Sequence, residues 1–240
     1  MRASLRKHLF GACLLIPLVT FAGGGTITGK VTYDGTAPPK AMLKIPANNA
    51  KDCGHAGETS IPSNLLLVSD KGGIKDVVIN VYTKTSVGTP KKGISDQKGC
   101  MFTSPVVVVP AGSTITFKNS DQGLHNVRVS TFKNAPLNAA IPAGGSKDYT
   151  AAKSENIMVT CDLHPWMRAY VSVVRSDHYA VTDAEGNFKI ENIPAGEYSF
   201  KAWHPVLGRA KSDQTTLKSK KVKVEDNKTL DVGVKMKKKK

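Results

Sequence analysis

Apolar and polar positions alternate along most of this chain. Residues 26–33, Thr-Ile-Thr-Gly-Lys-Val-Thr-Tyr, place small or apolar side chains at every second position and run into Asp34-Gly35. That is the signature of a half-buried strand closed by a tight turn. Residues 76–82 and 105–109 are β-branched runs bounded by Gly or Pro, and residues 114–118, 125–130, 156–160 and 169–174 add further strand-like segments. Pro-Ala-Gly recurs at 110–112, 142–144 and 194–196, each time where a turn between strands is needed. No window of about twelve residues holds apolar positions at helical spacing. The pattern predicts an all-β protein.

The chain opens differently. Arg2, Arg6 and Lys7 precede an apolar run from Leu9 to Phe21, and Thr20-Phe-Ala22 offers small residues at a cleavage site. Residues 1–22 are read as a secretory signal peptide, whose apolar run is too short to span a bilayer and contains Cys13. The remaining 218 residues fit two units, expected in the periplasm or otherwise exported, without a transmembrane anchor. Removal of the segment lowers the net charge from +15 to +12. Residues 206–240 carry twelve Lys or Arg against four Asp or Glu, ending in Lys-Met-Lys-Lys-Lys-Lys. Such a tail suits an acidic protein partner or peripheral contact with an anionic surface, and the alternative is a solvated end. Nucleic acid is not expected, because no binding module accompanies the charge.

Residues 161–167 read Cys-Asp-Leu-His-Pro-Trp-Met, and His125 lies in Leu-His-Asn-Val thirty-six positions upstream of the Cys. Cys161, His125, His164 and Met167 supply one thiolate, two imidazoles and a thioether. This is the donor set of a type 1 copper site, with three ligands in a plane and the Met sulfur on a long axial bond. A strand cannot aim neighbouring side chains at one ion, because they face opposite ways. A tight loop closed by Pro165, between the strand ending at Thr160 and the next beginning near Ala169, can. Zinc is the competing metal, but structural zinc sites are completed by Cys or His rather than Met. Met167 as a plain apolar loop residue would leave three ligands. In an exported chain the other two cysteines, Cys53 and Cys100, form an even pair suited to a disulfide; two buried free thiols are the alternative.

The Cys-x2-His-x2-Met loop after an apolar strand, with His-Asn-Val upstream, resembles the cupredoxins, and the short loop is most similar to amicyanin and related plastocyanin-like proteins. The resemblance covers roughly residues 100–175. It implies a Greek-key β-sandwich holding one copper ion that cycles between Cu(I) and Cu(II) and passes single electrons. It also gives Asn126 the part of tying the two ligand-bearing segments together around the thiolate. A second resemblance lies in Thr182-Asp183, Gly186-x-Phe188, Pro194-x-Gly196-x-Tyr198 and, at the other end, Gly25-x-Ile27-x-Gly29-x-Val31. These are similar to the carboxypeptidase-regulatory-like, transthyretin-like β-sandwich, and residues 183–187 read as its hairpin turn. Residues 23–99 and 177–240 are therefore expected to form one sandwich, interrupted by a copper domain at 100–176.

The leading functional expectation is an exported electron carrier exchanging electrons with protein redox partners. His164 is expected to be partly exposed, with Pro165 and Trp166 as the exit patch, although Trp166 also suits a packed loop anchor. Arg168 either meets a partner or pairs with Asp162. Copper storage, delivery or sensing is the alternative. An enzyme is not expected: oxidases and nitrite reductases need further copper sites marked by His-x-His pairs, and none occurs. His55, His178 and His204 are either ordinary structural histidines or parts of a second metal site.

Overall fold

The computed structural model describes residues 23–50, 53, 58–217 and 221–238. Residues 1–22, expected to be a signal peptide, His55 and the last two lysines therefore lie outside the described residues. The fold is all-β; among the described residues there is one four-residue helix, Ala47–Ala50, and a short 3-10 turn at Ser212–Gln214. No helix among the described residues is long and apolar enough to cross a membrane.

Two sandwich cores divide the strands. In the first, Gly25–Tyr33 lies between Asn187–Ile193, antiparallel, and Thr229–Met236, parallel, so the two ends of the chain meet in one sheet. The other sheet holds Tyr179–Val181, Val78–Tyr82, Gly196–His204 and Gly208–Arg209, with Lys221–Val224 paired to Gly196–His204. Ile27, Val31, Phe188 and Val232 pack against Ile79, Val81, Phe200 and Val222 in one buried core. Each such side chain contributes on the order of 1.5–3 kcal/mol when fully buried. Gly29 is glycine because a Cβ there would sit 2.0 Å from the Val232 carbonyl oxygen and 2.6 Å from the Phe188 ring.

The second sandwich pairs a sheet of Leu137–Ile141, His125–Ser130, Asn156–Thr160, Arg168–Val174 and Val106–Pro110 with a sheet of Ser146–Ala151, Ser113–Asn119, Lys92–Lys98 and Met101–Phe102. Ile115, Phe117, Val127, Val129, Ile157, Val159 and Val171 form its core. The two units meet where Val78, Val106 and Val174 cluster and the Tyr170 and Trp203 rings lie 5.5 Å apart. The Asn80 amide also donates to Ser176 Oγ at 2.9 Å, and that hydroxyl donates to the Val81 carbonyl.

Three features depart from the sequence expectations. Lys92–Lys98, assigned by the 99/100 boundary to the first sandwich, instead pairs in parallel with Ser113–Asn119 in the second. Its inward positions are polar, Ser95 at 1 % and Gln97 at 0 % exposure, so no apolar alternation marks it; Gln97 offsets its burial by donating to the Lys118 carbonyl at 3.2 Å. Residues 42–45 and 60–62 also leave the first sandwich. Met42–Lys44 pairs with Ser60–Pro62, and Ile45 and Ile61 pack on Met101 and Trp166 of the second unit. Finally, the turn at 183–187 is an arch rather than a plain hairpin. Asp183 Oδ1 accepts the amides of Glu185 and Asn187, and Gly186 takes φ 79°, yet the flanking strands enter different sheets.

Candidate metal centre

The pairing of His125–Ser130 with Asn156–Thr160 sets up one end of the second sandwich. Register pairs Thr160 with Arg128 and Met158 with Ser130. Extending it by one step brings Cys161 alongside the start of the partner strand, where His125 and Asn126 sit. The loop then turns back: the Met167 amide donates to the His164 carbonyl at 2.9 Å, with Pro165 and Trp166 between them. Proline's fixed φ suits the second position of such a turn. Arg168 opens the next strand, so Met167 is held at the loop's closing end.

The four predicted ligands share this end. His125 Nδ1 lies 3.8 Å from Cys161 Sγ, His164 Nδ1 lies 3.6 Å from the same sulfur, and the two Nδ1 atoms are 2.9 Å apart. His125, Cys161, His164 and Met167 are 0, 1, 5 and 1 % exposed. A hydrogen bond can serve one pair of these converging lone pairs at a time, whereas a cation serves all three. The donors suit copper: a soft thiolate and two imidazoles, with a buried thioether on the same loop.

Asn126, on the His125 strand, bonds to the loop that bears Cys161 and His164. Its Oδ1 accepts the Asp162 amide at 2.6 Å and the Leu163 amide at 3.4 Å, while its own amide points to Cys161 Sγ at 3.5 Å. Its side-chain amide donates to Asn138, which donates to Asp162. Asp162 in turn pairs with Arg128 at 2.7 Å. The expected Arg168–Asp162 pair is thus replaced, because Arg128 stands on the neighbouring strand directly beside the loop.

One residue escaped the sequence reading. Asp121 Oδ2 lies 2.8 Å from His125 Nε2, and the carboxylate also accepts the amides of Gly99 at 2.6 Å and Cys100 at 2.9 Å. With Nε2 committed to Asp121, Nδ1 is the ring atom left facing the site, and carboxylate partners of this kind orient ligating histidines. The available signal was the segment Asn119-Ser-Asp121, whose Asn119 Oδ1 accepts the Asp121 amide at 3.0 Å. The electrostatics follow the contacts. Burial opposes a charge on His125, but the hydrogen bonds to Asp121 and Cys161 outweigh it and push the ring up to about 9. Burial likewise opposes the Cys161 thiolate, and hydrogen bonds from His125 and His164 bring the thiol down to about 6. An anionic sulfur is therefore accessible near neutral pH, which is the form a soft metal needs.

His164 is not the exposed edge that was expected. Leu43, Ile45 and Ile61 pack with Trp166 at this end, and Trp166, whose ring lies 5.2 Å from that of His164, donates its Nε1–H to the Cys100 carbonyl at 3.1 Å. Trp166 is a loop anchor. Cys53 and Cys100 are joined in a disulfide, and their sulfurs and a His164 nitrogen lie within 4.8 Å of one another. Pro165 is exposed, and so are Leu124 at 51 % and Leu163 at 49 %.

Other predicted positions stay apart. His204 is fully buried in the first sandwich with Nδ1 accepting the amides of Val206 and Leu207 at 3.2 and 3.4 Å, and His178 stacks edge-on against Tyr198. Among the described residues, neither joins a group of metal-ligating side chains.

No protein-family model matches the chain and no curated protein does. Solved structures similar to part of it are cupredoxins. Amicyanin from Paracoccus versutus is 22% identical over 40% of this chain and 97% of its own, with a TM-score of 0.31. A purple cupredoxin from Nitrosopumilus maritimus is 18% identical over 35% of this chain and 98% of its own, at 0.30. A copper-containing nitrite reductase from Thermus scotoductus is 22% identical over 40% of this chain and 25% of its own, at 0.33.

Proposed function

We propose that this chain is an exported cupredoxin-type blue copper protein that carries single electrons between protein partners. The reading rests on one observation: the Cys161 sulfur and the Nδ1 atoms of His125 and His164 converge within 3.8 Å, with Met167 buried on the same loop. Bound copper would supply a one-electron change between Cu(I) and Cu(II). The chain's own residues do the rest. Asp121 fixes the His125 ring, Asn126 pins Asp162 and Leu163 so that the loop keeps its shape, and Trp166, packed against Ile45 and Ile61, keeps water from His164. A site whose ligands are held from outside changes charge with little rearrangement.

Near-complete burial of all four side chains speaks for a carrier over a delivery protein, whose ligands must be open to exchange. With His164 covered, the route for an electron passes through the neighbouring Trp166 and the exposed Pro165 and Leu163. The basic tail would draw an acidic partner. The first sandwich, in this reading, is the carboxypeptidase-regulatory-like unit that carries the copper domain, and no catalytic role is assigned to either. Redox titration of the copper-loaded protein tests the proposal. A reversible one-electron transition with copper retained in the presence of chelator supports it. Copper that leaves readily as Cu(I), without a reversible transition, would transfer the protein to the delivery class.

A further inference from the structure

We propose that Cys53 and Cys100, when reduced, form with His164 a second soft-metal site that takes Cu(I). The sulfurs of both cysteines and a His164 nitrogen lie within 4.8 Å of one another, and all three residues are buried, at 2, 1 and 5 % exposure. Two thiolates and an imidazole are a soft donor set of the kind that selects Cu(I). His164 belongs to this group and to the Cys161 group alike.

Contacts other than the sulfur–sulfur bond also hold each cysteine. The Cys100 amide is fixed on Asp121 at 2.9 Å, beside the Gly99 amide at 2.6 Å, and the Cys100 carbonyl accepts Trp166 Nε1–H at 3.1 Å. The Cys53 amide donates to the Asn49 carbonyl at 3.0 Å, and both cysteines lie in the apolar core of the second sandwich. The opening step is an exchange with a dithiol. One reductant thiolate attacks a cysteine sulfur to give a mixed disulfide, and the second reductant thiol displaces it. Two electrons and two protons pass to the protein, which gains two thiols, and the reductant leaves as its own disulfide. Binding of Cu(I) then releases the two thiol protons.

The Cys161→Ser protein tests this without the first site, so the result does not depend on the proposed blue centre. It is compared in its disulfide form and after reduction with dithiothreitol and anaerobic removal of the reductant, by Cu(I) titration against a colorimetric Cu(I) chelator, with circular dichroism reporting the fold. The dithiol form should withdraw one equivalent of Cu(I), the disulfide form none, and adding His164→Ala should weaken the dithiol form at least about ten-fold, the scale on which site residues change metal affinity. Equal uptake by the two redox forms would overturn the proposal. So would an affinity indifferent to His164, which is also what two thiols on an unfolded chain would give.

Discussion

His125 and His204 are both completely buried, one at the metal end of the second sandwich and one in the core of the first, yet burial has opposite outcomes for them. Around His204 the ring Nδ1 accepts two backbone amides, which suits a neutral imidazole, and burial outweighs an opposing backbone contact with Lys75 to push the ring down to about 4. Around His125 stand a carboxylate and a thiol, and the ring rises to about 9 despite its burial. One histidine is buried as scaffold. The other belongs to a connected set of polar groups (Asp121, Asn126, Cys161 and His164) that would be costly to bury unless each had a partner. The contrast shows that what marks a site is linkage among buried polar groups rather than burial itself.

The largest effect should come from cutting the covalent tie at the metal end. Cys53 and Cys100 are 47 residues apart, and in the chain-entropy model closing such a loop stabilises the fold by about 4 kcal/mol. The Cys53→Ala/Cys100→Ala protein should lose roughly that amount in denaturant unfolding, while an unchanged midpoint would mean the tie contributes nothing.

His204 sets the next effect. Its folded value, about 4, lies below the ordinary 6.5, so the unfolded chain binds the extra proton. Its share of stability is complete above about pH 6.5, falls as the pH drops toward 4 and is then constant, a span of about 3 kcal/mol. The stability difference between wild type and His204→Gln should shrink over that window; a pH-independent difference would show that the ring is not held neutral.

Asp121→Asn keeps the size of the side chain and removes its charge. Copper affinity should fall about 10- to 100-fold, the range seen when a partner of a metal-ligating histidine is lost, with the fold intact by circular dichroism. An unchanged affinity would mean that His125 needs no orienting partner. The smallest effect belongs to the surface. Deleting Lys237–Lys240 removes a tail whose Lys237 pairs with Asp34 at 2.9 Å. Association with an acidic partner should slow and lose salt dependence, with the copper spectrum unchanged. Rates that ignore the deletion would leave the tail without a steering role.

Local patterns made half of this molecule legible. The loop at 161–167 shows its chemistry because Cys161, His164 and Met167 lie close in sequence, and Asn126 is adjacent to the fourth donor. The β-branched strands at 106–110 and 168–174 were equally plain. Lys92–Lys98 was not, because its buried side chains, Ser95 and Gln97, are polar, and the Lys118 carbonyl that accepts the Gln97 amide is supplied only by the fold. Ser146–Ala151 is mostly solvent-facing on one edge and carries almost no alternation. Asp121 and the cover over His164 depend on long-range placement: the first meets Cys100 through a loop contact, and the second comes from residues 41–50 and 58–63, about a hundred positions before the loop they shield.

The account stands most directly on the visible spectrum of the Cu(II)-loaded protein beside its Cys161→Ser variant. Wild type should bind one equivalent and show an intense thiolate-to-copper charge-transfer band that is absent from the variant. Copper bound to wild type without that band, or a band that persists when the Cys161 sulfur is gone, would contradict the account.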